Sequence, residues 1–142
     1  MAREAPLDLA LSAQPEAVPA VRRAVRAWLV EWGLGDLVDP VSLVVSELAT
    51  NAVLHARGTL RVTLRRDGDG ARLEVGDDSP RLPQQRQRSA LSGTGRGLAL
   101  VAELAQGWGV QPAADGGKVV WAVFGRQGSD AGGQRKDWLA DL

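Results

Sequence analysis

The first third of the chain has an apolar pattern that predicts a strand followed by a helix. Leu7, Leu9 and Leu11 alternate with polar or small residues, which predicts a short edge strand with one buried face. From about residue 15 to residue 32 the apolar positions follow the helical period, with arginines on the opposite side. Gly33 and Gly35 are expected to end this amphipathic helix.

A second helix is predicted from Asp39, as its N-cap with Pro40 in the first turn, to about Gly58. Glu47 and Asn51 lie together at the border of its apolar stripe, which consists of Val41, Val44, Val45, Leu48 and Ala52. A partly desolvated carboxylate in that place can act as a base, and an amide oxygen can bind a hard cation such as magnesium. The alternative is that both side chains simply face solvent beside a buried stripe.

Alternating apolar residues in the second half of the chain predict two antiparallel hairpins, and hence a sheet. The first hairpin joins residues 60–65 to residues 72–77 through a glycine-rich turn. The second joins residues 108–112 to residues 118–124 through a turn at residues 115–117. The sheet follows two helices in the chain, so the pattern indicates a domain with both helices and strands.

The first hairpin ends in an acidic residue that the strand period places on the buried face. Asp77 shares the face of the apolar residues before it, whereas Asp78 points away. An ionisable group at the inner end of a core strand is costly unless it has a partner. Asp77 is therefore a candidate binding residue; the alternative is that its carboxylate caps the turn made by Ser79 and Pro80.

A polar loop, residues 80–92, leads into a glycine cluster at the start of a third predicted helix. The cluster consists of Gly93, Thr94, Gly95, Arg96 and Gly97, followed by Leu98. Glycines at a helix start leave backbone N–H groups bare and add the positive end of the helix dipole, which together suit a phosphate. A simple hinge between loop and helix is the alternative, because the segment matches neither a Walker loop nor a dinucleotide fingerprint.

Composition limits the function classes. The 142 residues are 44% hydrophobic, which favours one domain over residues 1–125, with a glycine- and charge-rich tail at residues 126–142 that we expect to be disordered. Seventeen basic and seventeen acidic residues balance, which argues against direct nucleic-acid or membrane binding. There is no cysteine, which excludes disulfides and thiolate zinc sites. With no secretion signal and no long apolar run evident, we expect a cytoplasmic protein.

Taken in order, these segments resemble the nucleotide-binding motifs of the ATPase superfamily that includes gyrase, the heat-shock chaperone ATPases and sensor histidine kinases. The strongest likeness is to the small bacterial anti-sigma-factor serine kinases, and the excess of arginine, alanine and glycine is typical of bacteria with GC-rich DNA. The resemblance covers about residues 7–124 and lies in Trp28-Leu29-x-x-Trp32-Gly33-Leu34, Ser46-Glu47-x-x-Thr50-Asn51-Ala52-x-x-His55, Val75-x-Asp77-x-Ser79-Pro80 and Gly95-Arg96-Gly97-Leu98-Ala99-Leu100-Val101.

The resemblance implies a fold and a set of roles. The fold would be an α/β two-layer sandwich, the histidine-kinase-like ATPase or Bergerat fold, with helices on one face of a mixed, mostly antiparallel sheet. Asp77 would accept the adenine amino group, Asn51 would ligate Mg²⁺ and Glu47 would be the catalytic base. The remaining ATP-binding residues would be Ser79, Gly93, Thr94, Gly95, Arg96, Gly97 and Leu98, with Arg86, Arg88 and Arg96 as candidates for the γ-phosphate.

Two positions qualify the resemblance. The wider superfamily has glycines after the strand-end aspartate, where this chain has Asp78-Ser79-Pro80; the serine-kinase branch tolerates this difference, so the more remote relatives are disfavoured. His55 matches the branch motif, but it falls inside the apolar stripe of its helix. We therefore expect a packed, hydrogen-bonded histidine rather than a catalytic one.

The implied function is a kinase that transfers the ATP γ-phosphate to a serine or threonine of an antagonist (anti-anti-sigma) protein and sequesters a sigma factor. Two tryptophans on the first helix, Trp28 and Trp32, favour a homodimer, as the resembling kinases form. An alternative is a switch in which ATP only shapes a partner-binding surface. A detached histidine-kinase catalytic domain is disfavoured, because no helical pair with a phosphoacceptor histidine precedes the ATP motifs.

Overall fold

Strands and helices alternate in blocks along the chain. The computed structural model describes residues 5–55, 58–79, 97–114 and 116–125. Within these ranges the elements are β1 (Leu7–Ser12), α1 (Ala17–Glu31), a 3₁₀ turn (Gly35–Leu37), α2 (Val38–His55), β2 (Thr59–Asp67), β3 (Gly70–Asp77), α3 (Gly97–Leu104), β4 (Gly107–Pro112) and β5 (Lys118–Phe124).

The five strands form one sheet in the order β1-β2-β3-β5-β4, and each neighbouring pair is antiparallel. The helices cover one face: α1 contacts β1, α2 contacts β2 and β3, and α3 contacts α2 and β4. The predicted class, an α/β sandwich with helices on one face of a mostly antiparallel sheet, is confirmed; the sheet is antiparallel in all its described strand pairs, where a mixed sheet was expected. Both predicted hairpins are present, β2 with β3 and β4 with β5.

The core lies between the sheet and the helix layer. All five residues of the predicted α2 stripe are buried, and they face the inward residues of the central strands, which include Leu60, Val62, Leu64, Leu73, Val75, Val120 and Ala122. Burying a side chain of this kind contributes roughly 1.5–3 kcal/mol relative to leaving it exposed. This packing fixes the strand register, because a slip by one residue would turn the apolar side chains to solvent.

On the opposite face of the sheet, β2 and β3 carry charged side chains that contact one another and the Trp121 ring of β5. Arg72 Nε donates to Glu74 Oε2 at 2.8 Å, and the Arg72 guanidinium lies 4.6 Å from the centre of the Trp121 ring. Arg65 Nη2 lies 3.5 Å from the same Glu74 oxygen. In β2 and β3, charged groups on one face and apolar groups on the other explain why the helices pack on the apolar side.

The structure shows how α1 ends and how α2 begins. Gly33, in the left-handed region at φ 77°, ends α1, and the Leu34 and Gly33 N–H groups donate to the Leu29 and Val30 carbonyls, the Schellman arrangement. The predicted start of α2, with Asp39 as N-cap and Pro40 as the first helical residue, was two residues late, because the helix begins at Val38. The 3₁₀ turn leads directly into Val38, so Asp39 lies in the first turn of the helix, where its charge favours the positive end of the helix dipole.

The segment Gly35–His55 contradicts the expectation that the chain contains no long apolar run. Its best 18-residue window has a mean hydropathy of 1.4, which is sufficient for a membrane span by length and composition alone. However, 56% of that window is buried inside the fold, as in the core helix of a folded domain. The hydropathy is therefore accounted for by the packing of α2 against α1, α3 and the sheet.

The tryptophans of α1 are accommodated within one chain. Trp32 is 3% exposed and belongs to the core, whereas Trp28 packs at its edge and donates its ring N–H to the Ala5 carbonyl at 3.3 Å. Because both rings pack within one chain, Trp28 and Trp32 no longer support a homodimer. The homodimer stays a prediction on other grounds.

Candidate functional site

Strand β3 ends in Asp77, a buried carboxylate that accepts several hydrogen bonds. The Asp77 side chain is 6% exposed on the helix-facing side of the sheet, and the adjacent Asp78 is exposed, as the strand period predicts. Asp77 Oδ1 accepts from the Ser79 backbone N–H at 2.9 Å. The turn-capping role considered as an alternative is therefore real, and it holds the carboxylate in a fixed orientation.

Lys118, at the start of β5, is the direct cross-strand neighbour of Asp77. Its Nζ donates to Asp77 Oδ1 at 2.9 Å, to Asp77 Oδ2 at 3.0 Å and to the Ser79 carbonyl at 3.2 Å. The lysine side chain is 5% exposed, so the two charges form a buried ion pair at the end of an otherwise apolar sheet face.

Sequence reasoning missed Lys118. The only available sign was a charged residue at the start of a strand whose remaining residues are all apolar, in a chain with just two lysines. Both faces of β5 are apolar after that position, so the period of two does not indicate which face Lys118 shares.

A glycine allows this close approach of the two strands. Gly117 is buried against the backbone of Asp77 and Asp78, and a Cβ there would collide with the Asp77 carbonyl oxygen and lie 2.8 Å from the Asp78 Cα. Only glycine lets the turn before β5 pack this tightly. The turn thereby places Lys118, the next residue, opposite Asp77.

Asn51 is buried, although the helical wheel placed it at the border of the apolar stripe. It is 5% exposed, and within the described part of the chain neither its Oδ1 nor its Nδ2 has a hydrogen-bond partner, although both atoms are buried. A buried polar group left unsatisfied costs about 1–3 kcal/mol. A bound water or ion is one explanation for such an unpaired group, so the Asn51 amide is a candidate ligand.

Glu47 lies one helical turn before Asn51 on α2 and is partly buried, with its Oε1 atom shielded from solvent. Helix α2 packs on β3, the strand that ends in Asp77. The acid and the amide therefore share one helix that rests on the strand bearing the buried carboxylate. His55 is the last residue of α2 and is half-buried, consistent with a packed side chain.

The glycine cluster is described only at its end. Helix α3 begins at Gly97, as predicted, and Leu98 is 6% exposed in its first turn. The other predicted phosphate-binding residues and the loop arginines lie outside the described residues; they are Gly93, Thr94, Gly95, Arg96, Arg86 and Arg88. The predicted tail, residues 126–142, lies outside them as well.

The described residues offer magnesium one amide rather than a cage. Among them there is no group of three His, Cys, Asp or Glu side chains close enough to hold a metal ion. Magnesium takes most of its ligands from substrate phosphates and water, so the single buried Oδ1 of Asn51 fits that ion when it arrives with a nucleotide.

Comparison with known proteins agrees with this geometry. Residues 11–124 match the model of a family described as the histidine kinase-like ATPase domain. The match spans all three helices and β2 to β5, including the segments with Asn51, Asp77 and Lys118. No curated protein is similar enough to the chain to be matched.

Proposed function

Because the chain belongs to the histidine kinase-like ATPase family, which implies ATP binding, we propose that it is an ATP-dependent regulatory protein kinase of the anti-sigma-factor type. It would bind ATP with Mg²⁺, phosphorylate a serine or threonine of an antagonist protein and sequester a sigma factor. The observation that carries the nucleotide site is Asn51, a buried amide whose polar atoms have no partner in the described part of the chain.

We propose that Asp77 binds the adenine base by accepting a hydrogen bond from its amino group. A carboxylate has about four lone-pair positions, and the described residues donate three hydrogen bonds to this one, from the Ser79 N–H and from Lys118 to each oxygen. Among the described residues, Oδ2 has one donor, Lys118, which leaves a lone-pair position for a second. An amino group on a purine would supply it, and a charged acceptor makes such a bond worth roughly 1.5–3 kcal/mol.

Asn51 is the proposed magnesium ligand. Bound with the nucleotide, the cation would neutralise charge on the phosphates. The Asn51 amide would contribute its Oδ1 to the cation and lose the penalty of an unsatisfied buried acceptor. Helix α3 packs on α2, and its start at Gly97 would present backbone N–H groups to the phosphates.

Glu47 is the proposed base. The hydroxyl oxygen of the antagonist's serine or threonine would attack the γ-phosphorus while the bond between that phosphorus and the β–γ bridging oxygen breaks, releasing ADP. The hydroxyl proton would pass to Glu47. In phosphoryl transfer the protein mainly positions groups and stabilises charge, so a carboxylate one helical turn from the cation ligand is well placed.

The test of this assignment is Glu47→Ala, assayed for transfer from labelled ATP to the cognate antagonist. We expect the rate to fall by roughly 10²–10⁴, since that is the usual contribution of a general base, while ADP affinity stays near the native value. Glu103→Ala, at an exposed position of α3, is the matched control and should transfer normally. Native transfer by Glu47→Ala would remove the base assignment.

The same assay separates the kinase from a switch without chemistry. A switch predicts nucleotide-dependent partner affinity and no phosphorylated antagonist with the native protein. Phosphorylation of the chain itself on histidine would instead indicate a detached histidine-kinase domain. A cytoplasmic location and a homodimer complete the proposal, and light scattering of the purified protein tests the latter.

A further inference from the structure

The ion pair at the end of β3 and β5 has one feature that the proposed function does not use, namely the ammonium group of Lys118. Its three N–H donors face three acceptors: Asp77 Oδ1, Asp77 Oδ2 and the Ser79 carbonyl. The bonds to the two carboxylate oxygens are nearly equal in length, 2.9 and 3.0 Å. Lys118 therefore holds Asp77 through two bonds where one would keep the charges paired.

Fold stability alone is a poor reason for such a pair. Desolvating two charges offsets most of their attraction, so apolar residues of similar volume stabilise a protein as well or better. Lys118 and Asp77 are nevertheless buried on the helix-facing side, where every other inward position of β3 and β5 is apolar. Stability therefore does not account for the pair, and its place beside the proposed nucleotide site points to a role in binding.

We propose that Lys118 is the second base-recognition residue of the site, donating a hydrogen bond to ring nitrogen N1 of a 6-aminopurine while Asp77 accepts from the exocyclic amino group. This inference rests on the proposed nucleotide site. It follows from an exchange of bonds: Lys118 gives up one of its two bonds to Asp77 and gains N1, and Asp77 replaces that bond with the amino group. No buried polar group is left unsatisfied in either state, which keeps the exchange inexpensive.

The same arrangement discriminates between purines. On a 6-aminopurine the donor at position 6 lies next to an acceptor at N1. On a 6-oxopurine such as guanine the order is reversed, so a base in the same position would set its carbonyl oxygen against Asp77 and its N1–H against Lys118. Both contacts would then be repulsive, and a site built from polar groups rejects a ligand that leaves them unpaired.

A chemical double-mutant cycle tests the contact. The ligands are ADP and 1-deaza-ADP, in which a C–H group replaces N1 and the amino group is kept, and the proteins are the native chain and Lys118→Met. We expect the native protein to bind 1-deaza-ADP roughly ten- to a hundredfold more weakly than ADP, the value of a hydrogen bond with a charged donor. Lys118→Met should bind the two ligands equally.

Two control variants separate loss of the Lys118 contact from a general effect of substitution. Arg66→Met, at an exposed position, should keep the native difference between the ligands, and Lys118→Arg, which retains donors and charge, should keep part of it. Equal binding of both ligands by the native protein would overturn the inference, even if Lys118→Met does not fold. A native protein that binds neither ligand would contradict the proposed nucleotide site instead.

Discussion

Replacing Asp77 by valine should lower the free energy of unfolding by about 3–5 kcal/mol, because it leaves the Lys118 ammonium buried without its counter-charge. Lys118→Met should lower the free energy of unfolding by a similar amount, because it leaves the Asp77 carboxylate buried without a counter-charge. Domains of this size have total stabilities of about 5–15 kcal/mol, so either variant loses a large part of the whole. Urea unfolding followed by tryptophan fluorescence measures the change.

The double variant Asp77→Val/Lys118→Met provides the decisive comparison. It removes both charges at once, and replacing a buried ion pair by apolar residues is often neutral or stabilising. We therefore expect it to recover most of the native stability and yet to bind no ADP. Native stability of the Asp77→Val single variant would show that the pair is not buried as described.

Asn51→Leu should have opposite effects on stability and on binding. It replaces a buried amide that lacks partners in the described part of the chain, so the free energy of unfolding should rise by about 1–2 kcal/mol. The same change removes the proposed cation ligand, so ADP should bind no more tightly with magnesium than without it. Calorimetric titration with and without magnesium, together with urea unfolding, measures both effects.

Thr50→Val is the matched control on the same helix. Its hydroxyl donates to the Ser46 carbonyl at 2.7 Å, one turn back along α2, and has no proposed contact with nucleotide. Magnesium-dependent binding should stay native in this variant. If Asn51→Leu destabilised the fold, the amide would have partners that are worth more than its burial costs, and its assignment as a ligand would be wrong.

The sequence predicted those parts of the site that depend on local periodicity. The helical period placed Glu47 and Asn51 on one helix beside a buried stripe, and all five residues of that stripe are buried. The strand period put Asp77 inward and Asp78 outward, as the structure has them. These inferences succeed because side-chain direction within one element depends only on the backbone repeat.

What the sequence did not show depends on contacts between distant segments. Lys118 meets Asp77 through the register of β3 and β5, which are 41 residues apart at this point. That register is set by the packing of the whole sheet and by the close approach at Gly117, neither of which leaves a local pattern. Likewise, the helical wheel placed Asn51 at the border of the apolar stripe because a wheel of one helix does not include its neighbours. Both α1 and α3 pack on α2, and Asn51 is buried.

The central claim is that one adenine nucleotide binds between α2 and the inner end of β3. Isothermal titration of the native protein with ADP, in the presence and absence of magnesium, tests it most directly. The account predicts saturable binding of one ADP per chain that weakens when magnesium is removed. No measurable binding of ADP with magnesium at millimolar concentration would contradict it.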